Sequence, residues 1–321
     1  MVRSEELSFR AGDASLAGTL TLPEGDGRHP WTLFVGSWLP RDRDGGWDRE
    51  RHPGWYEPPK PDAPPGLLAR LADALAGRGV ASLRYDPRGC GASDGTWERT
   101  DLFTRIDDAR DAIGAMRSRR ELDLRRTAIF GHGEGATVAV SVAIGDPAVS
   151  AVGLLAPAAR SLRDVLRRGA AERSRTGIDR RHPFVTALDR GLEELIERCE
   201  RREAEMRLDV AGSDVTLSLA GWEQGIHTPG LALATMLHRN VVIVHGTADA
   251  WVDVAESRLL AAVLRDVASD PSLIEVPRAG HDLAEAPDEP IDAIAAALAG
   301  GIVRRELPPV LLAIEEMGRE G

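Results

Sequence analysis

The fold is decided by one stretch of the chain, Thr127-Ala128-Ile129-Phe130-Gly131-His132-Gly133-Glu134-Gly135. Its apolar start predicts a buried strand, and the small residues from Ala136 to Ile144 predict a helix that packs closely on that strand. Glycine at every second position from 131 to 135 permits a sharp turn and a close approach of strand and helix. We therefore expect a strand, a tight turn and a helix, with Gly133 thrust out at the end of the strand.

The alternation of strand and helix continues on both sides of this stretch. Two paired strands, Leu7–Arg10 and Leu16–Leu22, come first, and helical periodicity marks Gly66–Gly77 and Asp101–Arg119. This order predicts an α/β protein with a mostly parallel, doubly wound sheet, whose ligands bind beyond the carboxyl ends of the strands. Short apolar runs predict the other buried strands at Trp31–Val35, Val80–Tyr85, Ala151–Leu155, Val241–His245 and Leu273–Val276.

Two segments interrupt the alternation. Residues 41–65, rich in Pro, Gly and charge, form a long loop after the third strand, and loops of this length are usually functional or mobile. Residues 159–234 contain charged helical segments, notably Phe184–Arg207, and have the size and place of a helical lid. The expected domains are therefore a core of residues 1–158 and 235–321, with a lid inserted at 159–234.

Charge and composition exclude several classes of function. The 321 residues include 40 Lys and Arg against 51 Asp and Glu, and the net charge of −11 argues against a nucleic-acid or anionic-membrane partner. The only lysine, Lys60, lies between prolines, so neither a phosphate-loop nucleotide site nor a pyridoxal Schiff base is expected. Two cysteines, Cys90 and Cys199, are too few for a disulfide framework and suit a reducing compartment.

Membrane and metal sites are not expected either. The N-terminus shows no leader, and no stretch approaches the ~18 apolar residues of a spanning helix, so we expect a soluble, cytoplasmic protein. The histidines His52, His182 and His227 lack the spacing of known metal motifs, which argues against a metal site. We read Cys90 as a structural thiol in the turn after the fourth strand.

The residues that carry chemistry follow the last two strands. His245-Gly246-Thr247-Ala248-Asp249 follows one, and Gly280-His281-Asp282 follows the other. The order of tight turn, acid and histidine is that of a nucleophile, acid and base. Asp249 is expected to accept a hydrogen bond from one imidazole nitrogen of His281, which leaves the other nitrogen free as a base. The turn carries Gly133 where the nucleophilic hydroxyl would stand.

These residues resemble those of the α/β-hydrolase superfamily, especially bacterial serine esterases and acyl hydrolases. The segments Gly36–Gly45 and Arg84–Ser93 add to the resemblance, which covers nearly the whole chain except the lid. It implies an α/β-hydrolase fold that acts on an ester, thioester or amide bond of a small-molecule substrate, with no cofactor. In such relatives the position of Gly133 is a serine. Backbone N–H groups form their oxyanion hole, and these carry across to Ser37 or Trp38 and to Glu134.

Gly133 leaves three interpretations of the function open. The chain is a serine acyl hydrolase whose nucleophile has been replaced, with fold, pocket and oxyanion hole intact. Alternatively the glycine is native, and His281, oriented by Asp249, acts as general base in water attack, a lyase step or a cyclisation. The third interpretation is a non-catalytic binding protein on a hydrolase scaffold.

Tryptophans close to the predicted cleft indicate a pocket for an apolar or aromatic acyl group. The loop after the third strand carries several aromatic residues, one tryptophan follows Asp249, and another lies late in the lid. His132, beside Gly133, is also a candidate for the pocket. The sequence leaves the oligomeric state open. The candidate pocket residues are Trp47, Trp55, Trp222, Trp251 and His132.

Overall fold

A computed structural model describes residues 2–48, 50–52, 66–177, 183–267, 270–284 and 286–303. Its strands are β1 (Arg3–Ala11), β2 (Ala14–Leu22), β3 (His29–Val35), β4 (Ala81–Tyr85), β5 (Leu122–His132), β6 (Val149–Leu155), β7 (Glu205–Val210), β8 (Ser213–Ser218), β9 (Asn240–Gly246) and β10 (Ser272–Val276). Its helices are α1 (Leu67–Ala76), α2 (Leu102–Met116), α3 (Glu134–Gly145), α4 (Leu162–Thr176), α5 (Pro183–Arg190), α6 (Leu192–Glu200), α7 (Ala220–His227), α8 (Gly230–Ala234), α9 (Val254–Asp266) and α10 (Asp288–Val303). A short 3₁₀ helix covers Trp97–Arg99.

The main sheet has eight strands among the described residues, in the order β1-β2-β4-β3-β5-β6-β9-β10. The pairs β1–β2 and β2–β4 are antiparallel, and every other pair in this sheet is parallel. The predicted mostly parallel α/β sheet is therefore confirmed. The order doubles back between β4 and β5, so β3 and β5 end side by side, where a ligand site is expected in such sheets.

Helices cover both faces of this sheet. The helices α1 and α10 pack on one face, and α2, α3 and α9 pack on the other. The central strand β5 serves both layers, because Ile129 belongs to one hydrophobic cluster and Ala128 and Phe130 belong to the other. Alternate side chains of a strand point to opposite faces, so a strand buried on both faces reads as a continuous apolar run.

The segment between β6 and β9 differs from its prediction. Phe184–Arg207 was expected to be helical, whereas the structure has α5, α6 and then the hairpin β7–β8. The physical reason is a change of period. Met206, Leu208 and Val210 are buried at every second position, which is the pattern of a strand. This hairpin, α5, α6 and α7 share a third hydrophobic cluster with Trp97.

Among the described helices, none is long and apolar enough to cross a membrane.

The loop predicted at residues 41–65 is described only at residues 41–48 and 50–52. Leu39, four residues after the end of β3, shares a hydrophobic cluster with Phe184 of α5, so the chain after β3 and the β6–β9 segment pack in one cluster.

Candidate active site

The turn between β5 and α3 has the geometry of a nucleophile elbow. Gly133 adopts φ 58° and ψ −118°, and its N–H donates to Leu155 O of the neighbouring β6 at 2.9 Å. A Cβ at position 131 would lie 1.9 Å from Gly135 O, and a Cβ at position 135 would lie 2.4 Å from Gly36 O. Only glycine permits these two approaches, so the flanking glycines bring helix α3 directly against strands β3 and β5.

Asp249 and His281 are joined by a hydrogen bond beyond the ends of β9 and β10. The distance from His281 Nδ1 to Asp249 Oδ2 is 2.7 Å, and the carboxylate is fully buried. Its other oxygen accepts the backbone N–H groups of Trp251 and Val252 at 2.8 and 3.0 Å. An ionised carboxylate only accepts, so Nδ1 of His281 carries a proton, and Nε2 is the nitrogen left to act as a base.

A second imidazole, that of His245, supports Asp249 from behind. His245 Nε2 lies 2.8 Å from Val252 O and 3.2 Å from Asp249 Oδ2, and both are acceptors, so this nitrogen carries a proton. His245 Nδ1 and Ser257 Oγ share a hydrogen bond of 2.6 Å. The sequence predicted His245 only as the end of a strand, with no role in the site. A polar residue that ends an otherwise apolar run was the available signal.

The partners of Asp249 keep its carboxylate ionised. Burial alone would raise its pKa, but the charge of His281 and the hydrogen bonds from His245 and His281 outweigh burial, and the pKa lies well below its ordinary value. A carboxyl whose pKa is lower in the folded state stabilises the fold above its ordinary pKa of about 4. That contribution is lost as the pH falls further.

We therefore expect Asp249→Asn to lower the free energy of unfolding at neutral pH by roughly 2 kcal/mol. Because the amide does not titrate, the variant should lose less stability than the wild type between about pH 5 and about pH 3. Urea unfolding of both proteins at the two pH values measures this difference. Equal losses of stability on acidification would contradict the assignment of a lowered pKa to Asp249.

The space where a nucleophile side chain would begin lies between two polar groups. A Cβ built on Gly133 would lie 3.3 Å from His281 Nε2 and 3.3 Å from Ser37 Oγ. The free nitrogen of the histidine therefore faces the turn residue directly. A water oxygen cannot occupy the Cβ point itself, which lies one bond from Cα of Gly133. A water held further from the backbone, between these two polar groups, would be placed to hydrogen-bond with both.

A cavity of about 220 Å³ opens beside this point. Ser37, Gly133, Glu134 and His281 line one end of it, and most of the remaining wall is apolar. Its aromatic lining residues are Trp38, Phe103, Trp222 and Trp251.

All three of these tryptophans have defined ring partners. Trp38 packs against the rings of Trp97, Phe184 and Trp222, with centroids 5.3, 5.2 and 4.9 Å away. Trp251 stacks on the ring of His281 at 6.0 Å. These contacts hold the apolar wall of the cavity and the imidazole of His281 in place.

Two of the candidate pocket residues, Trp47 and His132, are not in the lining. The guanidinium carbon of Arg41 lies 4.1 Å above the ring centroid of Trp47, and the same guanidinium forms an ion pair with Asp282. His132 is buried behind His281, and its Nε2–H donates to His281 O at 3.0 Å. Burial, and after it the charge of His281, hold the pKa of His132 well below its ordinary value. Trp55 lies outside the described residues.

The structure also brings together three residues whose spacing in the sequence indicated no site. The donor atoms of Asp48, His52 and Cys90 lie within 4.8 Å of one another and are buried. Asp48 accepts the N–H of Gly91 at 2.7 Å, and His52 Nε2 donates to Gly89 O at 3.1 Å. Burial raises the pKa of the Cys90 thiol to about 12. These groups tie the loop after β3 to the turn after β4.

Comparison with known protein families identifies the chain. The family model described as serine aminopeptidase, S33, matches residues 65–288, from the start of α1 to the start of α10. The chain belongs to this family. The match includes the elbow, Asp249 and His281, and it confirms the resemblance to the α/β-hydrolase superfamily.

Solved structures share the fold of this S33-family chain. Est1E from Butyrivibrio proteoclasticus, solved with ferulic acid bound, has a TM-score of 0.61 at 15% identity, over 93% of this chain and 98% of that one. The α/β hydrolase GrgF from Penicillium sp. sh18 has a TM-score of 0.60 at 17% identity, over 94% and 99%. At these identities the likeness shows the fold alone.

One curated relative matches this S33-family chain over a shorter length. The acyltransferase drtE from Aspergillus calidoustus is 31% identical over 119 residues, which are 35% of this chain and 38% of that protein. The match therefore covers well under half of either protein. Taken together, the comparisons place the chain among hydrolase-like and acyltransferase-like proteins of the α/β-hydrolase fold.

Proposed function

We propose that this protein hydrolyses a carboxylic ester or related acyl bond by direct attack of water, without an acyl-enzyme. The observation that carries the proposal is the position of the missing side chain, 3.3 Å from both His281 Nε2 and Ser37 Oγ. A complete acid–base pair thus faces an empty nucleophile position. A water held beyond the Cβ point, between the two polar groups, would be oriented by Ser37 and deprotonated by His281.

The step balances without a protein nucleophile. The water oxygen bonds to the acyl carbon while one of its protons passes to His281 Nε2, and Asp249 stabilises the imidazolium. The carbonyl electrons move to its oxygen, which backbone N–H groups of Ser37 or Trp38 and of Glu134 would hold. When the carbon–oxygen bond to the leaving alcohol breaks, His281 returns the proton to that alcohol. The products are the acid and the alcohol.

The cavity supports a small substrate with an apolar or aromatic acyl group. Its walls are largely apolar, and the tryptophans Trp38, Trp222 and Trp251 offer flat faces to an aromatic ring. We keep residues 159–234 as the proposed lid, because Leu162, Val165 and Leu166 of α4 and Trp222 of α7 form part of the lining.

The proposal is tested by turnover of a panel of short and long acyl esters, including phenylacetyl and cinnamoyl esters. In ¹⁸O-labelled water we expect one label in the acid product, and intact-protein mass spectrometry during turnover should show no acylated protein. A stable acyl adduct on the wild-type chain would contradict direct water attack. Absence of turnover across the panel would favour the second candidate.

The second candidate is a binding protein on a hydrolase scaffold, and the glycine at position 133 favours it. Under that function the cavity would retain a ligand that is never cleaved. Recovery of unchanged ester from the protein after prolonged incubation, with saturable binding, would support it.

A further inference from the structure

We infer that Arg105 is a positioning residue that aims both halves of the oxyanion hole, through the loop after β3 and through Glu134. The inference rests on the proposed function, because it concerns the site where the developing negative charge of the acyl oxygen would be held. It assigns a task to a buried helix residue that lies outside the cavity lining.

The contacts of Arg105 converge on the two segments that would supply the hole. Arg105 lies on α2 and is only 5% exposed. Its Nη2 donates to Gly36 O at 2.7 Å and to Ser37 O at 3.0 Å, two consecutive carbonyls of the loop after β3. Its Nε lies 3.3 Å from Glu134 Oε2, on the first residue of α3. One guanidinium therefore connects the loop after β3 to the elbow.

The carbonyl contacts determine where the neighbouring N–H groups point. In a trans peptide the C=O and the following N–H point in opposite directions. Because the carbonyls of Gly36 and Ser37 both turn toward Arg105, the N–H groups of Ser37 and Trp38 point away from it. Neither N–H donates to a backbone acceptor in the part of the chain that the structure describes. Both residues line the cavity, so these donors are available to a ligand there.

The ion pair removes a charge that would oppose the reaction. Glu134 lines the cavity directly after Gly133, and an unpaired carboxylate there would repel a developing oxyanion. Burial raises the pKa of Glu134, and the charge of Arg105 opposes that rise. Arg105 thus acts on the oxyanion twice, by orienting donors and by neutralising a neighbouring carboxylate.

The test compares the binding of two stable probes that differ in charge and shape. The monoethyl ester of benzylphosphonic acid is tetrahedral and anionic, like the reaction intermediate, whereas N-ethyl-2-phenylacetamide is planar and neutral. We expect the wild type to prefer the phosphonate. Arg105→Met should weaken phosphonate binding by roughly tenfold to hundredfold and leave amide binding within about twofold. Titration calorimetry measures both affinities.

Arg105→Lys separates positioning from charge, because it keeps the charge and loses the planar group that reaches two carbonyls. We expect it to lose most of the preference as well, with amide binding as the check that each variant is folded. A wild type without preference for the phosphonate, or a full preference in either variant, would overturn the inference. Binding needs no turnover, so a failure of the proposed hydrolysis would be seen separately in the ester assays.

Discussion

Gly133→Ser should give this protein an acyl-enzyme mechanism and raise its ester turnover by roughly 10²-fold or more. The new Cβ would lie 3.3 Å from His281 Nε2, so the hydroxyl one bond further can reach hydrogen-bonding distance of the base. The base, its acid partner and the elbow backbone are already assembled. A serine supplies the one group that a covalent mechanism lacks.

The readouts are a burst of alcohol at the start of turnover and covalent labelling by a fluorophosphonate at position 133. The wild type should give neither. The substitution also has a structural cost, because a side chain at φ 58° is strained by about 1–3 kcal/mol. A denaturation curve of the variant should show a loss of that size.

Gly133→Ala is the matched control, since it brings the same backbone strain and the same Cβ but no oxygen. It should be destabilised like the serine variant. Its methyl group would crowd the water between His281 and Ser37, so its ester turnover should be lower than that of both the wild type and Gly133→Ser. If folded Gly133→Ser shows neither burst nor label, the alignment of His281 or of the oxyanion donors would be wrong. If Gly133→Ala keeps the wild-type rate, the attacking water does not occupy the space between Gly133 and His281.

The sheet and the turns at its strand ends could be predicted because each carries a local signal. The apolar run Val80–Tyr85 is the strand β4 within one residue. The flanking glycines of the elbow are required because a Cβ at either position would lie only 1.9 or 2.4 Å from a backbone oxygen. Asp249 and His281 each follow a strand. The carboxyl ends of parallel strands lie at one edge of a sheet, so a sequence order was enough to predict their meeting.

The parts that could not be predicted depend on contacts between distant residues. Arg105 reads as an ordinary charged residue of a helix, and nothing in its neighbourhood shows that it reaches Gly36, Ser37 and Glu134. The donors of Asp48 and Cys90 meet only because two loops pack together. The hairpin β7–β8 did have a local signal of period 2, which the charged residues around it obscured.

The wild-type reaction depends most on His281, and His281→Ala should lower ester turnover by about 10²–10⁴-fold. Apart from the two chain neighbours of Gly133, the imidazole is the nearest titratable base to the vacant nucleophile position among the described residues, with Nε2 3.3 Å from the Cβ point of Gly133. Its partner Asp249 cannot replace it, because that carboxylate is fully buried behind the ring. Without His281 the attacking water loses the base that faces it.

A general base can be told from a structural residue by chemical rescue. Removing the imidazole ring of His281 leaves a hole in the cavity wall beside Trp251. Added imidazole should bind in this hole and restore part of the turnover of His281→Ala in a saturable way. His227→Ala is the matched control, because His227 is exposed on α7 and is not in the lining. It should keep the wild-type rate. Undiminished turnover in folded His281→Ala would place the reaction elsewhere, whereas loss of activity with saturable rescue requires a proton acceptor at this position.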